Sequence, residues 1–305
     1  MRTPVDRPVY LEHFGLERQP FQLTPNTDFF FQGSSRGDLL AALGYAICHG
    51  DGIITVTGEV GTGKTMLARM LIETAPHDLK FVYIANPSIN RDEILAVIGE
   101  ELGLKVAVVR VTTLLRRIQK RLVQLHAQGR RVVVIVDEAH AMPAGTLEEI
   151  RLLSNLETNT HKLLQMVLFG QQELNELLSG ESLRPLRERV TQRFEVPRLG
   201  AGEIGAYLAF RLERAGGDRE LFEPRAVALM ARAADGLARR VNILAEKGLL
   251  AAFVDGTSRV QAEHLRAAVD DAAFRALRPR PGILARLARL FRFRSGSAVA
   301  TARTA

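Results

Sequence analysis

The chain has 305 residues, room for two ordinary domains, and 47% of them are hydrophobic and 25% charged, which is typical of a folded globular protein. No apolar run is long enough to cross a bilayer, residues 1–10 carry no secretory signal, and the single cysteine, Cys48, cannot form an internal disulfide, so we expect a cytoplasmic protein. The formal net charge of +7 equals the seven arginines of the acid-free segment 276–305, which makes nucleic acid a less favoured partner for the rest of the chain.

Residues 1–33 are rich in proline, phenylalanine and glutamine and show no clear periodicity, so we predict an extended lead-in. A helix is predicted next, because Ser35 and Asp38 have the spacing of a capping box, and it ends near His49. The β-branched run 53–57 then predicts a strand that enters a glycine-rich loop.

Strands and helices alternate through the middle of the chain, over residues 34–198. The further predicted strands lie at 80–85, 132–136, 163–169 and 194–197. The further predicted helices lie at 91–102 and 112–127 and after the capping-box spacing of 146–149. Because residues 132–136 are all apolar and β-branched, their strand is expected to be buried on both faces of a parallel sheet. This alternation predicts an α/β domain in which helices flank the sheet on both faces.

The pattern changes to helices alone over residues 199–275, which are expected to form a small second domain. Its four predicted helices lie at 202–215, 224–234, 239–254 and 262–273. Residues 276–305 follow as a tail, with a proline-rich hinge and a basic amphipathic segment at 283–294. This segment fits three roles: contact with an anionic membrane, docking on a partner, or packing on the helical domain.

A candidate phosphate-binding loop follows the strand at 53–57. Residues 58–65 match the pattern G-x-x-x-x-G-K-[ST], with a predicted strand before them and a predicted helix after them. In such a loop the backbone N–H groups turn toward phosphate oxygens. The lysine, here Lys64, supplies positive charge to the β- and γ-phosphates, and the hydroxyl, here that of Thr65, binds Mg²⁺. We therefore predict that the whole loop binds ATP: Gly58, Glu59, Val60, Gly61, Thr62, Gly63, Lys64 and Thr65.

Two acidic residues follow the buried strand at 132–136. A carboxylate at the end of a buried strand is costly unless it meets a cation, so Asp137 is predicted to hold Mg²⁺, directly or through water. Glu138 is predicted to polarise the attacking water, which is the arrangement of an ATP hydrolase. The run from Asp137 to His140 also spells a helicase tetrad, but a helicase of that type needs two motor domains. We expect His140 to support the site structurally.

A resemblance to a known family is carried by short stretches in several parts of the chain: Phe14-Gly-Leu, Pro20-Phe21, Leu23-Thr-Pro25, residues 58–65, Asp137 to His140, Leu168-Phe-Gly-Gln171, Leu186 to Val190 with Arg193, and residues 236–242. Over roughly residues 8–273 the chain resembles AAA+ ATPases and, within them, the general secretion pathway protein A (ExeA) family. The N-terminal stretches and the last one are the most discriminating, because many ATPases share the loop and the acidic strand. Secretion-pathway A proteins proper continue into a membrane span and a peptidoglycan-binding module. Neither is expected here, so the chain most resembles the short members that serve the mannose-sensitive haemagglutinin (MSHA) type IV pilus.

The resemblance implies roles for several polar residues. Gln171 resembles sensor 1, which helps to orient water beside the γ-phosphate, and Arg239 resembles sensor 2, which reaches from the lid to the nucleotide. The family usually has proline where this chain has Ala238, one residue before Arg239.

An arginine finger that acts across a subunit boundary is also implied. Its candidates are Arg187, Arg189 and Arg193, of which Arg193, just before the last predicted strand, fits the position best. The implied active form is a homo-oligomeric ring or arc.

The implied function is that of an ATPase whose conformational cycle drives assembly of an envelope apparatus, a type IV pilus or a type II secretion system. Its partners would be envelope assembly proteins, and segment 283–294 would bring it to the inner membrane. Two alternatives remain: a nucleic-acid-directed ATPase, such as a transposition helper or a replication-initiator-like protein, and a nucleotide-gated binding module that hydrolyses little. The intact pair Asp137 and Glu138 counts against the binding module.

Overall fold

The computed structural model describes residues 8–85, 87–106, 110–158 and 161–270. The tail at 276–305, with its basic segment 283–294, and the last three residues of the helix predicted at 262–273 lie outside the described residues. Within the described residues, no helix is both long enough and apolar enough to span a membrane.

A five-stranded parallel sheet forms the centre of the larger part of the chain, with the strand order β2-β3-β4-β1-β5. Its strands are β1 Ile53–Thr57, β2 Leu79–Ile84, β3 Arg131–Val136, β4 Leu164–Gly170 and β5 Val190–Glu195. The three central strands are almost entirely buried, which was predicted for residues 132–136 of β3. Because all five strands are parallel, the loops that follow their carboxyl ends meet at one edge of the sheet.

The strand β5 differs from its prediction. It begins at Val190, four residues before the predicted start. Thr191, Gln192 and Arg193 are exposed at the edge of the sheet, where β5 pairs with β1, so this strand lacks the apolar pattern that predicted the others. Arg193 accordingly lies inside the strand and not just before it.

Helices cover both faces of the sheet. One face is covered by α1 Arg36–His49 and α2 Lys64–Thr74. The other face is covered by α3 Arg91–Glu101, α4 Val111–Ala127, α5 Ala144–Leu153, α6 Glu173–Ser179 and α7 Arg184–Arg187. The predicted α/β fold with flanking helices is therefore confirmed.

Neither predicted capping box forms. α1 begins after Ser35 as expected, but the Ser35 side chain makes no capping hydrogen bond. α5 begins ahead of its predicted cap, and Thr146 and Glu149 are both buried. The Thr146 hydroxyl donates to the carbonyl of Ile89 at 2.9 Å. The Glu149 carboxylate pairs with Arg91, so both groups fix the start of α3 and neither caps its own helix.

The last part of the described chain, residues 203–270, contains four helices: α8 Glu203–Arg214, α9 Pro224–Ala234, α10 Ala238–Val254 and α11 Ala262–Asp270. Their core also contains apolar residues from the start of the chain: Tyr10, Leu11, Phe14, Leu16, Phe21 and Phe29. The Arg211 guanidinium of α8 donates to the carbonyl of Pro20 at 2.6 Å and lies over the ring of Phe21. The N-terminal segment, 8–31, is therefore not an extended lead-in, because its turns place irregularly spaced apolar residues in the core of the helical part.

Candidate nucleotide-binding site

The loop between β1 and α2 turns sharply. Gly61 and Gly63 have φ values of +86° and +102°, a left-handed conformation that glycine adopts without strain. The Thr62 hydroxyl closes the loop by donating to the carbonyl of Glu59 at 2.9 Å. α2 begins at Lys64, so the N–H groups of its first turn, which no helical hydrogen bond uses, lie beside the loop with a partial positive charge.

Lys64 is enclosed by this loop and is only 5% exposed. Its ammonium group donates to the carbonyls of Gly58 and Glu59, at 3.0 and 3.1 Å. Burial lowers the pKa of Lys64, while the nearby carboxylates of Glu138 and Asp137 oppose that shift. A buried cation, left-handed glycines and a helix amino terminus together fit a bound phosphate group.

Asp137 follows β3 and is almost fully buried. Its Oδ2 atom accepts hydrogen bonds from the Thr65 hydroxyl at 2.7 Å and from the Tyr83 hydroxyl at 3.0 Å. Burial and the Asp137 carboxylate raise the pKa of Tyr83, which keeps this donor protonated. A hydroxyl and a carboxylate in contact are oxygen ligands of the kind that Mg²⁺ binds together with substrate phosphates. Among the described residues, no group of three or more His, Cys, Asp or Glu side chains could hold a metal ion.

Glu138 is adjacent to Asp137 in sequence, yet its side chain has different neighbours. Its φ is +52°, which is uncommon for a residue with a side chain, and its N–H donates to Asp137 Oδ1 at 2.9 Å. The Gln171 side-chain amide lies 3.3 Å from the Glu138 carboxylate and 2.9 Å from His140 Nε2. Gln171 follows β4, the neighbour of β3 in the sheet, so the structure brings the predicted sensor residue to the predicted water-polarising residue.

The four arginines singled out from the sequence lie at different distances from this cluster. Arg239 is the second residue of α10, and its N–H donates to the carbonyl of Gly61 at 3.0 Å. Arg193 is exposed on β5, and Arg187 and Arg189 lie before that strand. Of the four, Arg239 alone lines the cavity beside the loop in the described part of the chain.

That cavity has a volume of about 310 Å³ and lies between the phosphate loop and the helical part of the chain. Beyond the loop, its walls include residues from the N-terminal segment, α8 and α10: Leu23, Phe29, Phe30, Phe31, Tyr207 and Asn242. Aromatic side chains on one wall and a buried cation on the other fit a nucleotide, whose base is flat and largely apolar and whose phosphates are anionic.

Sequence reasoning missed several residues of the site. Arg36 is 8% exposed, and its Nη2 donates to the carbonyls of Thr62 and Pro197 at 3.0 and 3.3 Å, which ties the start of α1 to the loop. Tyr83 and the aromatic residues 29–31 were also missed. The phenylalanine content of the N-terminal segment was a signal for the aromatic wall. Arg36 and Tyr83 gave no local signal, because their partners are distant in sequence.

Comparison with known proteins supports this description. Residues 48–178 match the family model described as an AAA domain. The chain is 38% identical over 255 residues to General secretion pathway protein A of Aeromonas hydrophila, which covers 83% of this chain and 46% of that protein. The chain thus spans about half the length of this curated relative.

Solved structures with a similar fold are more distant in sequence. The ORC1 protein of Aeropyrum pernix, solved in complex with DNA, is 22% identical with a TM-score of 0.62, covering 92% of this chain and 77% of that one. The ORC2 protein of the same organism, in its ADP form, is 19% identical with a TM-score of 0.63, covering 84% and 72%. The RuvB Holliday junction branch migration motor of Thermotoga maritima is 17% identical with a TM-score of 0.55, covering 83% and 73%. At these identities the likeness shows the fold alone.

The parallel sheet, the phosphate loop beside an acidic strand end and the AAA domain match define the class of protein: the chain is an AAA+ ATPase, an ATP hydrolase. Within that class the chain is similar to General secretion pathway protein A. The resemblance, the fold class and the ATP hydrolase activity expected from the sequence are thus confirmed.

Proposed function

We propose that the cavity binds Mg-ATP and that its hydrolysis drives assembly of an envelope apparatus, a type IV pilus or a type II secretion system. The observation that carries the binding proposal is the position of the cavity. One wall is the phosphate loop with the buried Lys64, and the other belongs to the helical part, which acts as a lid. The assembly role rests on the similarity to General secretion pathway protein A.

The binding groups follow from the contacts of the loop. Lys64 and the N–H groups of Gly58 to Thr65 offset the charge of the phosphates. Thr65 and Asp137 would hold Mg²⁺, and Tyr83 donates a hydrogen bond to the Asp137 oxygen that Thr65 also contacts. The ion would supply positive charge that offsets the charge of the phosphates.

The proposed hydrolytic groups are Glu138 and the two side chains that contact it, Gln171 and His140. Glu138 orients the attacking water and accepts its proton. Gln171, as sensor 1, and His140 hold the Glu138 carboxylate in position.

Two further arginines are proposed to link the site to movement of the lid and to a neighbouring subunit. Arg239, as sensor 2, lies where α10 meets the loop, so nucleotide bound in the cavity favours a closed lid and hydrolysis releases it. Arg193 is exposed on an edge strand, where it is available to act as the arginine finger of an adjacent copy in a homo-oligomer. Segment 283–294 provides peripheral contact with the inner membrane.

The assembly role is tested in the native host with Lys64→Ala and Glu138→Gln. We expect both variants to accumulate to the normal level and to abolish assembly of the pilus or secretin, measured by electron microscopy and by heat-resistant multimers on gels. Normal assembly in either variant would contradict the role. The matched control is Glu148→Gln, a carboxylate of α5 that pairs with Arg151 outside the cavity and should leave assembly unchanged.

One observation favours the second candidate, a nucleic-acid-directed ATPase. Residues 102–136 contain eight Lys or Arg and no Asp or Glu, a local excess that the balanced charge of residues 1–275 conceals. Arg116, Arg117 and Lys120 are exposed on α4, where they fit the phosphates of a duplex. This candidate is favoured if duplex DNA, and not anionic liposomes, stimulates steady-state ATP turnover and if Arg116→Gln with Lys120→Gln removes that stimulation.

A further inference from the structure

Arg198 lies between β5 and α8 and makes ion pairs in two directions. Its Nε donates to Glu59 Oε1 at 3.0 Å, and its Nη2 contacts the same oxygen. Its Nη1 pairs with the Asp235 carboxylate and donates to the Asp235 carbonyl at 3.3 Å. Glu59 is the second residue of the phosphate loop, and Asp235 directly follows α9 in the lid. One guanidinium thus joins the loop that surrounds the phosphates to the lid.

The backbones at this junction are in close contact. The Arg239 N–H donates to the Gly61 carbonyl at 3.0 Å, and the Leu199 N–H donates to the Gly236 carbonyl at 2.8 Å. A Cβ on Gly61 would lie 2.9 Å from Arg239 Cβ, and one on Gly236 would lie 2.4 Å from the Leu199 carbonyl oxygen. Because no space separates the loop from the start of α10, a shift of either must move the other.

The lid side of the junction has an unusual backbone. Asp235 has a φ of +53°, in the left-handed region that side chains other than glycine rarely adopt, and Gly236 follows with +73°. Arg198 binds both the carbonyl and the carboxylate of Asp235, which holds this turn in place. The planar guanidinium contacts Glu59 through Nε and Nη2 and contacts Asp235 through Nη1. A lysine ammonium does not reproduce this geometry.

We propose that Arg198 is a positioning residue that couples the phosphate loop to the lid through Glu59 and Asp235. The coupling sets how the lid closes over the cavity and therefore how tightly the nucleotide is held. This inference rests on the proposed nucleotide site, but it is independent of the apparatus that the ATPase assembles.

A purely structural role makes a different prediction. Arg198, Glu59 and Asp235 are 36%, 39% and 42% exposed, and ion pairs at such exposure add little to stability. If these pairs only stabilised the fold, replacing them would shift the unfolding temperature slightly and leave the kinetic constants alone. A coupling role instead changes the KM for ATP at nearly constant stability.

The test measures steady-state ATP turnover and thermal unfolding of the full chain. We expect Arg198→Lys and Glu59→Gln each to raise the KM for ATP by about fivefold or more, with kcat changed less. The double variant should raise KM no further than the larger single change, because both remove one interaction. Unfolding temperatures should stay within about 3 °C of wild type.

The Asp235→Gly variant distinguishes an effect on the coupling from an effect on the stability of the fold. Glycine adopts the positive φ freely, so the variant should be at least as stable as wild type, yet it should raise KM as the other variants do. The matched control is Arg184→Lys, an exposed arginine that pairs with Glu188 away from the cavity, for which KM should equal that of wild type.

The outcomes separate this inference from the nucleotide site itself. In one outcome, wild type turns over ATP, Lys64→Ala does not, and the Arg198, Glu59 and Asp235 variants all keep the wild-type KM. That outcome would support the nucleotide site and would show that the proposed coupling is wrong. Additive effects of Arg198→Lys and Glu59→Gln would also overturn it. If Lys64→Ala matches wild type in turnover, the nucleotide site is wrong and the coupling falls with it.

Discussion

The carboxylates of Asp137 and Glu138 follow the same strand but face different groups. Asp137 is buried against the hydroxyls of Thr65 and Tyr83, whereas Glu138 lies beside Gln171. The left-handed backbone at Glu138 accompanies this separation, and such strain is found where function requires a particular side-chain direction. In our proposal the Asp137 carboxylate would hold Mg²⁺, and the Glu138 carboxylate orients the attacking water.

At this scale we predict that Gln171→Ala lowers kcat by about tenfold or more while the KM for ATP changes little. The reason is that the Gln171 amide contacts Glu138, and not the loop that holds the phosphates. The measurement is steady-state phosphate release at saturating ATP. The control, Gln172→Ala, removes the exposed neighbouring amide, which lies 3.5 Å from the Glu195 carboxylate, and should match wild type. A wild-type kcat in Gln171→Ala would contradict the assignment.

The sequence allowed some of these residues to be predicted and not others, for a physical reason. The glycine pattern places Lys64 and Thr65, and the buried apolar run places Asp137, because each signal is local. The role of Gln171 was predicted from the family resemblance and not from a local pattern. Tyr83 and Arg36 depend on contacts between elements distant in sequence, which no local pattern encodes.

At the scale of elements, the start of α8 is tied to the segment before α1 by Glu203. Its carboxylate accepts hydrogen bonds from the N–H and hydroxyl of Ser34, each at 2.9 Å, and from the N–H of Gly200 at 2.7 Å. The N–H groups of Ser34 and Gly200 lower the pKa of Glu203. The carboxylate therefore links the helical part to the entrance of α1.

This contact predicts a pH-dependent contribution to stability. A carboxyl whose pKa is lowered by folding stabilises the fold above its ordinary pKa of 4.5, and that stability is lost as the pH falls through the lowered value. We expect Glu203→Gln to reduce the free energy of unfolding by about 1 kcal/mol at pH 7 and by less below pH 4.5, measured by urea unfolding.

The control for this prediction is Glu223→Gln. Glu223 precedes α9 as Glu203 begins α8, but its side chain makes no capping hydrogen bond, so the same pH-dependent loss should be absent. Equal losses for Glu203→Gln at pH 7 and at pH 3.5 would contradict the account.

Elements were predictable where their pattern was strong. The buried strands β1, β3 and β4 were predicted to within a residue or so, because runs of mostly apolar or β-branched residues define them. The edge strand β5 was predicted too short, because its exposed side chains are polar. Both predicted capping boxes failed at their helices, since spacing alone does not show whether a side chain caps its own helix or bonds to a neighbour.

Across the whole molecule, the start of the chain completes the core of its last described helices. The Tyr10 hydroxyl donates to the Glu246 carboxylate at 2.7 Å, and the Gln19 amide donates to the same oxygen at 2.9 Å. These contacts join residues more than 200 positions apart, which is why the N-terminal segment was mistaken for an extended lead-in. Residues 29–31 of the same segment line the cavity, so the phosphate loop, the helical part and the N-terminal segment all border the proposed nucleotide site.

In our proposal this shared cavity binds ATP through Lys64, and Glu138 takes part in its hydrolysis. The most direct test measures nucleotide binding and phosphate release together for wild type, Lys64→Ala and Glu138→Gln, with Glu148→Gln as the control. We expect Glu138→Gln to bind ATP with near wild-type affinity and to release phosphate about a hundredfold more slowly, Lys64→Ala to lose binding, and the control to match wild type. Wild-type phosphate release by Glu138→Gln, or wild-type ATP binding by Lys64→Ala, would contradict the account.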